Sequence, residues 1–302
     1  MAKERAVDQV SPLPTSDAHL EKILRLVYER QGIDLRAYRR TTIERRLASR
    51  LQKLGLQDSG EYLDYLTNHA GEAHHLVEHM IIKVSRFFRN AEVFARLAEK
   101  ILPELAELAW HRNPARELRI WSAGCAKGEE VYSLAILTTE MASVGGLSTP
   151  AVIYGTDIEE DACAGAQRGL YAQDALAEVP PDLIAKYFIP HPGRFGTEWE
   201  IVSTLRANVR FARHDLLSGP WTPGNLQFDL VLCRNVLIYF ERAAQERVFQ
   251  SLADSLAPGG YLCLGEAEQL STVQQPYFET IDRRTGLYRR IRQKGGEANA
   301  TA

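Results

Sequence analysis

Residues 119–136, RIWSAGCAKGEEVYSLAI, constrain the fold of this chain more than any other stretch. Arg119 to Ala123 reads as a short buried strand cut off by Gly124. Gly124 and Gly128 bracket a turn whose backbone can enter conformations closed to most residues. Glu129 and Glu130 then open a helix, where acidic side chains suit the positive dipole end, and Val131, Leu134 and Ala135 give its buried side. Strand, glycine turn and helix in that order form a ligand crevice at the carboxyl end of a parallel sheet. A dinucleotide pyrophosphate would want G-x-G-x-x-G without acids. Here the spacing is G-x-x-x-G and two carboxylates follow, which would repel a pyrophosphate. They suit a cationic ligand such as the amino group and sulfonium of S-adenosylmethionine.

The chain has 302 residues, enough for two domains with their own cores. Residues 1–16 carry no periodicity and read as a tail. Residues 17–95 read as an all-helical domain. Leu20, Ile23, Leu24 and Val27 form one stripe ended by Gly32. Thr41–Leu54 turns Ile43, Leu47, Leu51 and Leu54 inward and stops at Gly55. Tyr62, Leu63 and Leu66 mark a third helix, and Leu76, Val77, Met80 and Ile81 a fourth. Around the second helix Arg36, Arg39, Arg40, Arg45, Arg46, Arg50 and Lys53 meet only Glu44 as a local acid. Two readings stand: a solvated face, or a docking surface for an acidic partner, with Arg39, Arg46, Arg50 and Lys53 on one side. His75, Glu78 and His79 spell H-x-x-E-H, but no third ligand is recognisable, so they read as surface histidines and no metal is expected. In KVSRFFRN, residues 83–90, the phenylalanines serve as core, or Ser85 and Arg89 form a polar lip on a cofactor site. A linker helix is assigned to 96–115; the helical pattern itself runs from Val93 to Trp110 and is broken at Asn113-Pro114.

Residues 116–292 alternate strands with helices, which predicts a doubly wound, Rossmann-like α/β domain. Ala151–Tyr154 is its second strand, and Asp157 just beyond is placed to accept both ribose hydroxyls or to cap the next helix. Residues 170–207 interrupt the pattern with a small inserted antiparallel β element. After the strand Val209–Ala212, Asp215 and Leu216 offer an acceptor for an adenine amino group and a cover for its ring. Phe228–Cys233 is a strand ending in Arg234-Asn235-Val236, with Tyr239 shortly after. A strand YLCLG and a hairpin around Thr285-Gly286 complete the domain, and 293–302 reads as a tail.

A hydrophobic content of 45% and a charged content of 25% are those of an ordinary globular protein, and the net charge of −3 gives no argument for nucleic acid. The four cysteines lack C-x-x-C spacing, which fits reduced thiols. With neither a signal peptide nor an apolar run of spanning length, a cytoplasmic location without membrane insertion is expected.

The segments IWSAGCAKGEEVYSLAI, YGTDI and FDLVLCRNVLIYF, in this order after a helical domain, resemble the chemotaxis-receptor glutamate methyltransferases, the CheR family, over roughly residues 18–292. The resemblance implies that S-adenosylmethionine esterifies glutamate side chains on the cytoplasmic helical bundles of chemoreceptors, leaving S-adenosylhomocysteine. It implies cofactor contacts at Lys83, Ser85, Arg89, Glu129, Glu130, Asp157, Asp215, Leu216, Asn235 and Val236. Arg89 and Tyr239 match positions that orient the acceptor and the methyl group. A methyltransferase for another substrate, or a non-catalytic adaptor that senses the cofactor, are the competing readings.

Overall fold

The computed structural model of the chain describes residues 16–81, 85–112, 117–145, 150–193 and 196–291. Lys83, the Asn113-Pro114 break, the tail 293–302 and all of the tail 1–16 except Ser16 lie outside the described residues. The chain divides into two compact units, one comprising 1–82 with 239–245, the other 83–238 with 246–302. The division falls at Ile82/Lys83 rather than at 95/96, because Phe87, Phe88, Val93, Phe94 and Leu97 all pack into the core of the second unit.

The first unit holds α1 (Asp17–Gln31), α2 (Arg40–Leu54), α3 (Ser59–Asn68) and α4 (Glu72–Met80). Helix α1 buries Leu20, Ile23, Leu24 and Val27, the stripe read from its spacing. Gly32 and Gly55, both in left-handed conformations, end α1 and α2. Asp58 caps α3 by accepting the backbone N–H groups of Gly60 and Glu61 at 2.7 and 3.0 Å. The segment 239–241 is pinned to this unit. The Arg39 N–H donates to the Tyr239 carbonyl at 2.8 Å, the Glu241 N–H to that of Ala37 at 2.9 Å, and the Tyr38 and Phe240 rings lie 4.7 Å apart.

Helix α2 begins at Arg40, so Arg36 falls in a separate 3₁₀ turn and Arg39 caps the helix. The acids that answer its cations come mostly from elsewhere than the helix itself. Arg36 pairs with Asp34, and Arg40 with Asp17 as well as with Glu44. Arg50 is 8% exposed and forks onto Glu72 of α4 at 2.8 and 2.5 Å. The expectation that Arg50 belongs to an exposed docking face is therefore corrected: its charge is buried and paired.

In the second unit the expected connecting helix is broken by geometry rather than by a loop. Helix α5 (Ala91–Arg96) runs through a π-helical turn, Leu97–Ile101, into α6 (Leu102–Arg112). Pro103 has no N–H to give to the preceding turn, and the wider turn just before it relieves the ring clash.

The main sheet has seven strands: β1 (Leu118–Ala123), β2 (Ala151–Asp157), β6 (Val209–Arg213), β7 (Phe228–Cys233), β8 (Leu256–Leu264), β9 (Phe278–Asp282) and β10 (Leu287–Arg290). Their order is β6-β2-β1-β7-β8-β10-β9, parallel from β6 to β8, with the last hairpin antiparallel. Strands β1 and β7 are almost wholly buried and mostly apolar, as central parallel strands are, with Asp229 of β7 accepting the Arg119 N–H at 3.0 Å. Helix α7 (Glu129–Ser143), which follows β1, is buried over most of its surface, Val131 to Ile136 without a break.

Helix α8 (Glu160–Arg168) leads to the insertion, where β3 (Leu170–Ala172), β4 (Phe188–Gly193) and β5 (Gly196–Ile201) form an antiparallel sheet in the order β3-β5-β4. Helix α9 (Pro181–Tyr187) precedes β4, and α10 (Ser203–Arg206) and α11 (Arg242–Ser255) complete the helices among the described residues. None of the described helices is long and apolar enough to cross a membrane.

Candidate active site

The chain leaves β1 for β2 and β6 on one side, then returns to lay β7 and β8 on the other. The order reverses between β1 and β7, and a doubly wound sheet opens its crevice there. The glycine turn follows β1 and the Arg234-Asn235-Val236 turn follows β7, so both face the switch point. They are also in contact. A Cβ placed on Gly124 (φ +77°) would lie 2.5 Å from Val236 Cγ2, so only glycine lets these turns approach so closely.

The glycine turn is fixed from below. The N–H groups of Gly124 and Cys125 both donate to the Thr156 carbonyl, at 2.8 and 2.9 Å. The Tyr171 hydroxyl, from the inserted sheet, donates to the Lys127 carbonyl at 2.7 Å. Asp157 is 8% exposed; one of its oxygens accepts the Ala126 N–H at 2.9 Å and the other the Glu159 N–H at 3.1 Å. It thus ties down the glycine turn and the chain just ahead of the next helix, whose N-cap position is Glu159 rather than Asp157.

The two acids after Gly128 have different surroundings. Glu130 accepts the Ser122 hydroxyl at 2.8 Å and pairs with Arg234 at 3.0 Å, which gives it partners inside the protein. Glu129 is 4% exposed and its Oε2 is buried without a hydrogen-bond partner among the described residues. Burial pushes its carboxyl above the ordinary value, against the weaker opposing pull of its own N–H, Lys127 and the Ser85 hydroxyl. A buried carboxylate with an orphaned oxygen has the chemistry to receive an ammonium group.

Arg89 sits between two residues in left-handed conformations, Phe88 (φ +52°) and Asn90 (φ +63°). Ala126 (φ +49°) and Asn235 (φ +60°) share that conformation, so four of the five such non-glycine residues described lie in these segments. Strain of this kind, held by specific bonds, is the mark of a pre-organised site. The bonds are present: the Phe88 N–H donates to Ser133 Oγ at 2.9 Å, and Arg234 donates to the Arg89 carbonyl and Asn90 Oδ1 at 3.0 and 2.7 Å. Phe87 and Phe88 themselves are core, as the plainer reading of that stretch has it.

Asp215 accepts the Leu217 N–H at 2.9 Å and so caps a short 3₁₀ turn, with Leu216 buried beside it at the end of β6. Tyr239 groups with the helical unit, its carbonyl accepting the Arg39 N–H. His75 is exposed and directed at Glu78, whereas His79 Nε2 is buried without a hydrogen-bond partner among the described residues.

Two residues of the site escape a reading of the sequence. Arg234 follows six apolar or buried residues, and a cation in that position has to find a buried partner. Glu268 is 5% exposed and lies three residues beyond Gly265, at the end of β8.

A crevice that presents the orphaned acid Glu129, with Asp157 closing the second strand, belongs to an S-adenosylmethionine-dependent methyltransferase, and the residues present fit that cofactor. Residues 18–81 match the CheR methyltransferase all-alpha domain, and 83–287 the CheR methyltransferase SAM binding domain. The chain belongs to the CheR methyltransferase family. It is 33% identical to a chemotaxis protein methyltransferase of Klebsiella aerogenes over 88% of each chain. With the Escherichia coli protein of that name it shares 32% identity over 88% of this chain and 89% of the other. An uncharacterized 104.1 kDa protein of Rhodobacter capsulatus is 34% identical over 95% of this chain, which spans only 29% of that longer protein.

The placement of Glu129 predicts a pH dependence. An ammonium group beside it favours the charged carboxylate and draws its raised pKa down, so binding releases a proton. Affinity therefore grows as pH rises through the raised value and levels off above it. The dissociation constant of S-adenosylhomocysteine should increase as pH falls from about 7.5 to about 5, and the dependence should vanish in Glu129→Gln. Calorimetry across that range checks it; a flat wild-type profile removes Glu129 from the amine pocket.

Proposed function

We propose that this chain esterifies glutamate side chains on the cytoplasmic helical bundles of chemoreceptors, working in the cytoplasm with S-adenosylmethionine as methyl donor. The observation that carries the acceptor class is the likeness to the chemotaxis protein methyltransferases of K. aerogenes and E. coli along nearly nine-tenths of each chain. When bound, the cofactor supplies an electrophilic methyl group on a sulfonium.

The chain's own task is then modest. A glutamate carboxylate, with a reference pKa of about 4.3, is already ionised near neutral pH, so no general base is needed. Arg89 forks onto a carboxylate and fixes its approach, helped by the strained backbone on either side. Tyr239 orients an oxygen through its hydroxyl. Glu129 holds the donor's amino group, Asp157 its ribose, Asp215 and Leu216 its adenine, with Ser85, Asn235 and Val236 closing around it.

Arg39, Arg46 and Lys53 recur at steps of seven and form the docking stripe for an acidic substrate helix. Arg39 and Lys53 are exposed, and Arg46 keeps a buried Nε without a partner among the described residues. Burial and the neighbouring Arg45 lower the Arg46 pKa. Complementary charge sets encounter rate and register more than raw affinity. Reversing Arg46 and Lys53 to Glu should cut the initial rate of receptor methylation at least about tenfold at low salt and leave cofactor affinity unchanged. Salt near 0.1 M, where screening acts beyond about 10 Å, should narrow the gap between the two proteins. Equal rates and equal salt slopes would return the stripe to a solvated face.

A further inference from the structure

Glu268 makes more backbone contacts than any capping residue in the fold requires. One oxygen, Oε1, accepts the N–H groups of Val236, Leu237 and Ile238 at 2.9, 2.7 and 3.3 Å. The other, Oε2, accepts those of Asn235 and Gly265 at 2.9 and 2.7 Å. Four consecutive N–H groups that converge on one point, beginning at a left-handed Asn235, form a nest, a concavity that binds anions. Here the anion is part of the chain. Gly265 makes the room: a Cβ there would come 2.6 Å from Glu268 Oε2 and 2.8 Å from the Asn235 nitrogen.

The turn held in this way lies against the glycine turn, through Val236 and Gly124. Its donors are held by the Glu268 carboxylate rather than by the strands on either side. Its N–H groups are directed at the carboxylate of Glu268, a residue only 5% exposed, so a lost acceptor there is not readily replaced by water. Neutral acceptors would satisfy one or two of these donors, whereas a carboxylate has about four acceptor sites and a full charge.

We propose that Glu268 is a positioning residue for cofactor binding: its carboxylate fills the nest of residues 235–238 and holds that turn over the glycine turn in the shape that receives S-adenosylmethionine. This rests on the reading of Asn235 and Val236 as cofactor contacts. Glu268 touches neither cofactor nor acceptor, and it acts through the backbone of the turn.

The test uses the full chain with Glu268→Gln, which is nearly isosteric, and Glu268→Ala, which empties the nest. Binding of S-adenosylhomocysteine is measured by calorimetry and folding by thermal melting. Both variants should bind at least about tenfold more weakly. In Gln the amide NH₂ turns a donor toward other donors. The distinguishing readout is rescue of the Ala variant by sodium formate, a free carboxylate that fits the vacated nest. Formate should restore affinity saturably, whereas chloride at the same ionic strength should restore little.

A folded Gln or Ala variant that binds as tightly as wild type overturns the proposal. So does weakened binding in Ala that formate does not improve, since that is the result of general loosening. A wild-type protein that does not bind S-adenosylhomocysteine overturns the cofactor contacts instead, a separate outcome.

Discussion

Arg234→Ala should lower the stability of the second unit by about 3–5 kcal/mol and its melting temperature by roughly 6–20 °C. The Arg234 side chain is 3% exposed and that of its partner Glu130 15%. Removing the cation leaves the largely buried Glu130 carboxylate without its counter-charge, which is the costly way to break such a pair. Glu130→Ala should cost a similar amount by stranding Arg234. The double variant Glu130→Leu with Arg234→Met should recover most of the stability, because no charge is then left alone. It should not recover cofactor binding, since the Arg89 carbonyl and Asn90 Oδ1 still lack their donor. Single variants that melt with the wild type would mean that the pair carries no weight in the fold.

Glu72→Ala should have an effect of comparable size on the helical unit, about 3–5 kcal/mol. It strands the Arg50 guanidinium and removes the acceptor of the Tyr62 hydroxyl, which lies at 2.7 Å. Burial alone would raise the Glu72 carboxyl, but the bonds from Arg50 and Tyr62 outweigh it and hold it below its ordinary value of 4.5. A depressed carboxyl contributes stability that is present above the unfolded pKa and lost as pH falls through the folded one. The helical unit should therefore weaken below about pH 4.5, and less steeply in Glu72→Gln. Arg50→Lys should also destabilise, because an ammonium cannot make the two-pronged contact. Lys53→Ala, on the exposed surface one turn away, should change stability by no more than about 0.5 kcal/mol. Urea unfolding followed on the helical signal measures all four.

Arg50 shows why part of the docking surface was illegible. Its spacing places it beside Arg46 and Lys53, and its acid lies 22 residues further on in another helix. Periodicity reports which side of a helix a residue occupies, not what the opposite helix brings to it. The glycine turn was legible because Gly124 and Gly128 are required by local backbone geometry, and both have positive φ. The alternation of elements gave the parallel sheet, and the prolines and aromatics of 170–207 gave the inserted one. Tyr239 follows the β7 motif in sequence but is bonded to Arg39, some 200 residues earlier, by a contact no local pattern encodes. Glu268 and Arg234 escaped for the same reason, since the groups they hold are backbone atoms and distant side chains.

The chemistry is tested most directly by methyl transfer itself. The full chain is incubated with methyl-labelled S-adenosylmethionine and a chemoreceptor cytoplasmic fragment, and the label is located by peptide mass spectrometry and treated with alkali. Esterification predicts one added methylene on glutamate side chains, released as methanol by base and strongly reduced in Arg89→Ala. Base-stable label on an amine, or a cofactor that binds tightly while no receptor becomes labelled, would contradict it.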